Sequence, residues 1–168
     1  MTDAQPRTTA IIEGEHAVSS DPATVLSTLL GSCVAVCLHD PVASVGGMNH
    51  FLLPGEQASH AQRRAERFGA HLMEALINDL MMRGARRERL QAKIFGGANI
   101  LRGLSDVGAQ NAAFAKRFLH HEGIRIIAED LGGARARRVQ FWPASGRSHR
   151  LCAAPDWRRA GGDKDLFS

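Results

Sequence analysis

The chain has 168 residues, 44% of them apolar, and a formal net charge of +4 at pH 7. That length holds one domain with one substantial core, and no apolar run is long enough to cross a bilayer. The start, MTDAQPRTTA, lacks a charged leader followed by an apolar stretch, so the chain reads as unexported and cytoplasmic.

The three cysteines are Cys33, Cys37 and Cys152. An odd number in an unexported chain argues against a disulfide scaffold. Cys33 and Cys37 have no second pair to complete a zinc site, and the adjacent His120 and His121 diverge on a helix, so no metal is expected. Positive charge gathers at Arg63, Arg64 and Arg67, at Arg83, Arg86, Arg87 and Arg89, and at Arg135, Arg137 and Arg138. Such patches attract nucleic acid or acidic protein surfaces. No zinc finger or RNA-binding aromatic motif accompanies them, so a solvated arginine-rich surface is the better reading and nucleic-acid binding the weakest alternative.

In chain order, residues 1–8 read as flexible, and 9–20 as a short strand or two broken at Gly14. Asp21-Pro22 marks a turn. Residues 24–40, TVLSTLLGSCVAVCLHD, are the densest apolar segment, and Val34–Leu38 reads as a mostly buried strand. Asp40-Pro41 closes it, and Ala43–Leu53 folds back as an antiparallel partner. Ala61, Ala65, Phe68, Leu72, Leu76 and Leu80 recur at helical intervals, which predicts a helix over 60–82 ended by Gly84. Leu90–Phe95 reads as a strand broken by GGAN. A second helix is predicted over 106–121, with Ser105 as its cap. Strands follow at 124–129, 138–142 and 147–152, and the rest reads as a loose tail. The order is that of a mixed α+β domain without a repeat. GGAN lacks the spacing and the Lys-Ser/Thr pair of a phosphate loop.

The candidate site is Cys33 with His50. Cys33 follows Gly31-Ser32 at the entrance to a strand, and His50 lies on the strand that returns beside it. A thiol needs a neighbouring base to act as a nucleophile, and a histidine also protonates the leaving group. Small residues at the Gly31-Ser32 turn leave room for substrate and can aim N–H groups at an oxyanion. The bland alternative is a buried cysteine and a structural histidine. Cys37 sits deeper in the apolar run and reads as core.

The segments LLGSCVAVCLHDP at 29–41, GGMNHFLLP at 46–54 and AKIFGGAN at 92–99 closely resemble the CheD family of chemoreceptor glutamine deamidases. VGAQN at 107–111, GIRIIAEDLGG at 123–133 and the strand around Phe141 resemble its later blocks, so the likeness runs over residues 10–152. It implies a CheD-like deamidase domain at 9–154 between a flexible start and a 155–168 tail. It implies a mixed α/β fold with a β-sandwich-like core flanked by helices, resembling deamidases of the cytotoxic necrotizing factor type. The family's nucleophile falls on Cys33 and its histidine on His50. Its third catalytic residue, a threonine six positions before the cysteine, falls on Ser27, with Thr28 beside it as the alternative.

The resemblance further implies hydrolysis of glutamine side chains on methyl-accepting chemoreceptors, through a thioester and without a cofactor. The implied partners are those receptors and a CheC-type phosphatase. A noncatalytic adaptor and an added methylesterase activity remain as alternatives. Gly47, Gly96, Gly97 and Asn99 are expected to shape the rim of the site. Asn111 is expected to tie the second helix to it, and Asn49 to face away from His50.

Overall fold

The computed structural model describes residues 5–53, 59–100 and 106–153. The strands are β1 (Arg7–Ala10), β2 (His16–Ser19), β3 (Thr24–Leu30), β4 (Val34–Asp40), β5 (Val45–Asn49), β6 (Gln91–Gly96), β7 (Arg125–Leu131), β8 (Arg137–Trp142) and β9 (Arg147–Cys152). The helices are α1 (Ser59–Met82) and α2 (Val107–His121). Two sheets form, ordered β1-β3-β8-β9 and β2-β5-β4-β6-β7. The dense segment at 24–40 is thus two strands, and its break at Gly31-Ser32-Cys33 is where the chain leaves one sheet for the other.

β4 is apolar at nearly every position because both of its faces are covered. Val34, Val36 and Leu38 pack with Met73, Leu76, Ile77 and Leu80 of α1 and Phe114, Ala115 and Leu119 of α2. Ala35 and Cys37 face the other sheet and pack with Leu26, Leu30, Phe95, Val139 and Phe141. The layers run sheet, sheet, helices, a β-sandwich with both helices on one outer face. The α1 stripe is buried at Ala61, Ala65, Leu76 and Leu80, while Phe68 at its edge stays 45% exposed. Gly84, at φ 99, ends the helix by letting the Ala85 N–H return to the Leu80 carbonyl at 3.0 Å. α2 is capped by Asp106, whose carboxylate accepts the Ala109 N–H at 2.9 Å. Ser105, the expected cap, lies outside the described residues, as does the stretch from 154 on.

Several arginines of the basic clusters are structural. Arg137 is 4% exposed and donates to the carbonyls of Asp130 and Gly132, which joins β8 to the far edge of the second sheet. Arg87 pairs with Glu122, and Arg89 with Asp40 at 2.9 Å. This removes part of the free positive surface that the sequence suggests.

Asp40 does more than close a strand. Its fully buried carboxylate accepts the N–H groups of Val42 (2.9 Å), Ala43 (3.0 Å) and Arg86 (2.9 Å), as well as the Arg89 Nε–H. Burial pushes its pKa up, but the Ala43 and Arg86 N–H groups, the Arg89 guanidinium and the Val42 N–H outweigh it and hold the group down at about 2. A depressed folded pKa stabilises the fold above the ordinary carboxylate range and loses that contribution as pH falls toward the folded value. Asp40→Ala is expected to destabilise the fold by about 3 kcal/mol at neutral pH. In denaturant titrations the gap between wild type and variant should close as pH drops from about 4 toward 2.

Candidate active site

The crossover from β3 to β4 carries Cys33, and every carbonyl of its Gly31-Ser32-Cys33 turn is captured. The Gly97 N–H donates to Cys33 O and the Ala98 N–H to Gly31 O, both at 2.9 Å. Asn111 Nδ2 donates to Ser32 O at 2.9 Å, and Asn111 Oδ1 accepts the Leu53 N–H at 3.0 Å. Buried Asn111 therefore ties α2 both to the cysteine turn and to the strand end beyond His50. With its carbonyls pulled toward Gly97, Ala98 and α2, the turn keeps its Ser32 and Cys33 N–H groups out of the described backbone hydrogen bonds.

The GGAN segment fits here for steric reasons. Gly96 has φ 110, and a Cβ on it would collide with the Cys33 carbonyl oxygen. Gly97, at φ 66, lies against the Gly108 carbonyl of α2. Gly47, expected at the rim, instead lies beneath α1, where a Cβ would meet Leu76 Cδ1 at 2.8 Å. It faces the helices because its parity on β5 is that of Asn49 and opposite to that of His50.

His50 continues β5 toward the cysteine. Val34 and Phe51 exchange both backbone hydrogen bonds, at 3.0 and 2.9 Å, and Cys37 pairs with Met48. This register sets Cys33 and His50 as diagonal neighbours on the face that looks toward the other sheet. Asn49 faces the helices, accepting the Val36 N–H at 3.0 Å and donating to Met73 Sδ at 3.2 Å.

The hydroxyl beside His50 is that of Thr28, not of Ser27. Thr28 Oγ1 lies 2.7 Å from His50 Nδ1, so of the two candidates the contact favours Thr28 over Ser27. The reason is strand parity: Leu26, Thr28 and Leu30 point into the inter-sheet core, and Ser27 points to the opposite face of β3.

The Thr28 hydroxyl fixes the histidine tautomer. Its single proton goes to the Ile11 carbonyl at 2.6 Å, so toward His50 the oxygen accepts. Nδ1 of His50 then carries the proton, with Ile11 O also 3.3 Å away. Nε2 holds a lone pair, is buried, and has no hydrogen-bond partner among the described residues. The turn joining β1 to β2 completes the clamp: the Gly14 N–H donates to His50 O at 2.7 Å, and His50 N–H donates to Glu15 O at 3.1 Å. The break at Gly14 was expected from the sequence, but the turn's contacts with His50 were not. Gly14 takes φ 87.

The electrostatics make the resting pair neutral. Burial lowers the His50 pKa, against the opposing pull of the Ile11 carbonyl and the Glu13 charge. Burial and the Glu13 carboxylate push the Cys33 thiol up to about 11, only partly offset by its own N–H. A half-buried thiol thus neighbours an unprotonated imidazole, an arrangement in which the base takes the proton as sulfur attacks. Cys37 is fully buried in the inter-sheet core and burial pushes its thiol up further, while Cys152 is exposed beside Arg150. Among the described residues no group of three or more His, Cys, Asp or Glu side chains is placed to hold a metal ion. No described helix is long and apolar enough to cross a membrane.

The family described as CheD chemotactic sensory transduction matches residues 52–150. A Caulobacter vibrioides protein named "Probable chemoreceptor glutamine deamidase CheD" is 57% identical over 94% of this chain and 91% of its own length. Proteins of the same name from Acidiphilium cryptum and Sinorhizobium medicae are 59% and 57% identical, over 87% and 89% of this chain and 78% and 82% of theirs. The chain belongs to the CheD family.

Nitrogen-15 NMR of the His50 ring is expected to show the Nδ1-protonated tautomer, with a titration midpoint below the usual value of about 6.5. Thr28→Val should mix the tautomers, and Ser27→Ala should leave both tautomer and midpoint unchanged. An equal response to the two substitutions would refute the assignment of the orienting hydroxyl.

Proposed function

We propose that this CheD protein is a chemoreceptor glutamine deamidase in which Cys33 is the nucleophile, His50 the general base and acid, and Thr28 the residue that orients His50. The observation that carries the reading is the buried Nε2 of His50, without a partner among the described residues, on the cysteine's face of the sheet and with the ring proton on the far nitrogen. The name shared by the curated relatives supports the substrate class.

The steps follow from those positions. A receptor glutamine presents its carboxamide carbon to Cys33 Sγ. His50 Nε2 takes the thiol proton as the S–C bond forms, which answers the high resting pKa of the thiol. The oxyanion finds the N–H groups of Ser32 and Cys33, which the captured carbonyls of the turn leave available. Nδ1–H of the imidazolium is held by the Thr28 oxygen, and the Thr28 proton by Ile11 O, so the developing charge is spread along a prealigned chain. Nε2–H then passes to the departing nitrogen and ammonia leaves. Water loses a proton to His50 Nε2 and attacks the thioester. The C–S bond breaks, the imidazolium returns a proton to sulfur, and a glutamate side chain is released. The receptors reached are methyl-accepting chemoreceptors, and the reaction takes place in the cytoplasm. A CheC-type phosphatase is the second partner that the family resemblance implies.

Incubation with the cytoplasmic domain of a cognate receptor, followed by peptide mass spectrometry, tests the reading. Glutamine is expected to convert to glutamate at defined positions, with no conversion by Cys33→Ala. Thr28→Val should slow conversion on the order of 10- to 100-fold, a fraction of what acid–base catalysis supplies. The rate should be flat through neutral pH and fall in acid as His50 takes a proton, with a midpoint below about 6.5 because its folded pKa is lowered. Unchanged conversion by Cys33→Ala would refute the assignment. Tight receptor binding by both proteins without conversion by either would favour an adaptor.

A further inference from the structure

We propose that Glu13 is the residue by which this site distinguishes a carboxamide from a carboxylate: its charge stands beside the Cys33–His50 pair, accepts the neutral glutamine side chain and turns away the glutamate that the reaction produces. The identity of substrate and product rests on the deamidase reading above. The charge selection itself rests on the geometry of one turn.

Glu13 is exposed between residues whose backbones are locked to His50. On one side the Ile11 carbonyl lies 3.3 Å from His50 Nδ1. On the other, the Gly14 N–H donates to His50 O at 2.7 Å and Glu15 O accepts the His50 N–H at 3.1 Å. The turn therefore cannot move away from the histidine without breaking the clamp that orients it. Glu15 is otherwise engaged, since its carboxylate accepts the Ile12 N–H at 2.9 Å. Among the described residues no cation pairs with Glu13. Its charge reaches both reactive groups, opposing ionisation of the Cys33 thiol and favouring protonation of His50.

A carboxylate beside the pair hinders ionisation of the thiol and favours the imidazolium, so its two effects on the first step oppose each other. The same charge has a use at the last step. Substrate and product have nearly the same shape and differ by the N–H donors of the amide and by one negative charge, and a fixed carboxylate senses the charge. Repulsion across a partly solvated gap of several ångströms changes the encounter of an anion by about three- to tenfold and leaves a neutral amide unaffected.

Two alkylating reagents reproduce that difference: iodoacetamide carries a carboxamide and iodoacetate a carboxylate. Their rates at Cys33, read by mass spectrometry of its peptide in the full chain, give a ratio from which the thiolate fraction cancels. Glu13→Gln is expected to raise the iodoacetate-to-iodoacetamide ratio about three- to tenfold, and Glu13→Lys further. Glu13→Asp should keep the wild-type ratio, and the exposed Cys152 should show no change in any variant. A ratio at Cys33 that is the same in wild type, Glu13→Gln and Glu13→Lys would overturn the proposal, because a turn with a merely structural role changes both rates together. If the ratio responds to Glu13 while receptor glutamines are not converted, charge selection stands and the deamidase reading fails.

Discussion

The chain crosses from one sheet to the other within three residues, and it does so only because Gly96 offers no side chain to the Cys33 carbonyl. That close approach lets Gly97 and Ala98 capture two carbonyls of the turn, while Asn111 captures the third. A buried carbonyl needs a donor, so these three bonds decide which way each peptide of the turn faces. The direction of the Ser32 and Cys33 N–H groups follows, and the oxyanion role proposed for the turn rests on it. The sandwich supplies rigidity to the sheet-crossing turn that carries Cys33.

Burial and one charge oppose the nucleophile, and one hydrogen-bond chain supports the base. Burial disfavours a thiolate at Cys33, and Glu13 adds to that effect. Burial also disfavours an imidazolium at His50. A preformed ion pair is therefore not the resting state. In the proposed reaction, proton transfer is coupled to attack, and the chain from His50 through Thr28 to Ile11 stabilises positive charge on the ring as it develops.

Much of this was legible in the sequence, for identifiable reasons. Doubly apolar β4, the amphipathic run of α1 and the return of the chain at Asp40-Pro41 each leave a periodic or turn signal. The pair Cys33 and His50 was a candidate from its place on adjacent strands and gained weight from the resemblance of blocks around LLGSC and MNHF, and the register of β4 with β5 explains why they share a face. The choice between Ser27 and Thr28 was not legible by counting from the cysteine, because the register of β3 is set by its pairing with β8 and by the inward packing of Leu26 and Leu30. The β1–β2 turn showed only as a break at Gly14, and its hold on His50 left no pattern because it acts through backbone groups at Ile11, Gly14 and Glu15. Asp40 read as a turn residue, since nothing local foretells the bonds it accepts from Arg86 and Arg89, more than forty residues on.

In the proposed reaction Cys33 becomes covalently joined to the receptor side chain. Rapid acid quenching of the protein with a receptor cytoplasmic domain, followed by intact-mass analysis, would capture that species. A transient adduct is expected that hydroxylamine cleaves, that maps to Cys33, and that rises and decays as glutamate appears. Release of ammonia and formation of glutamate at full rate with no adduct at Cys33 would contradict that reaction.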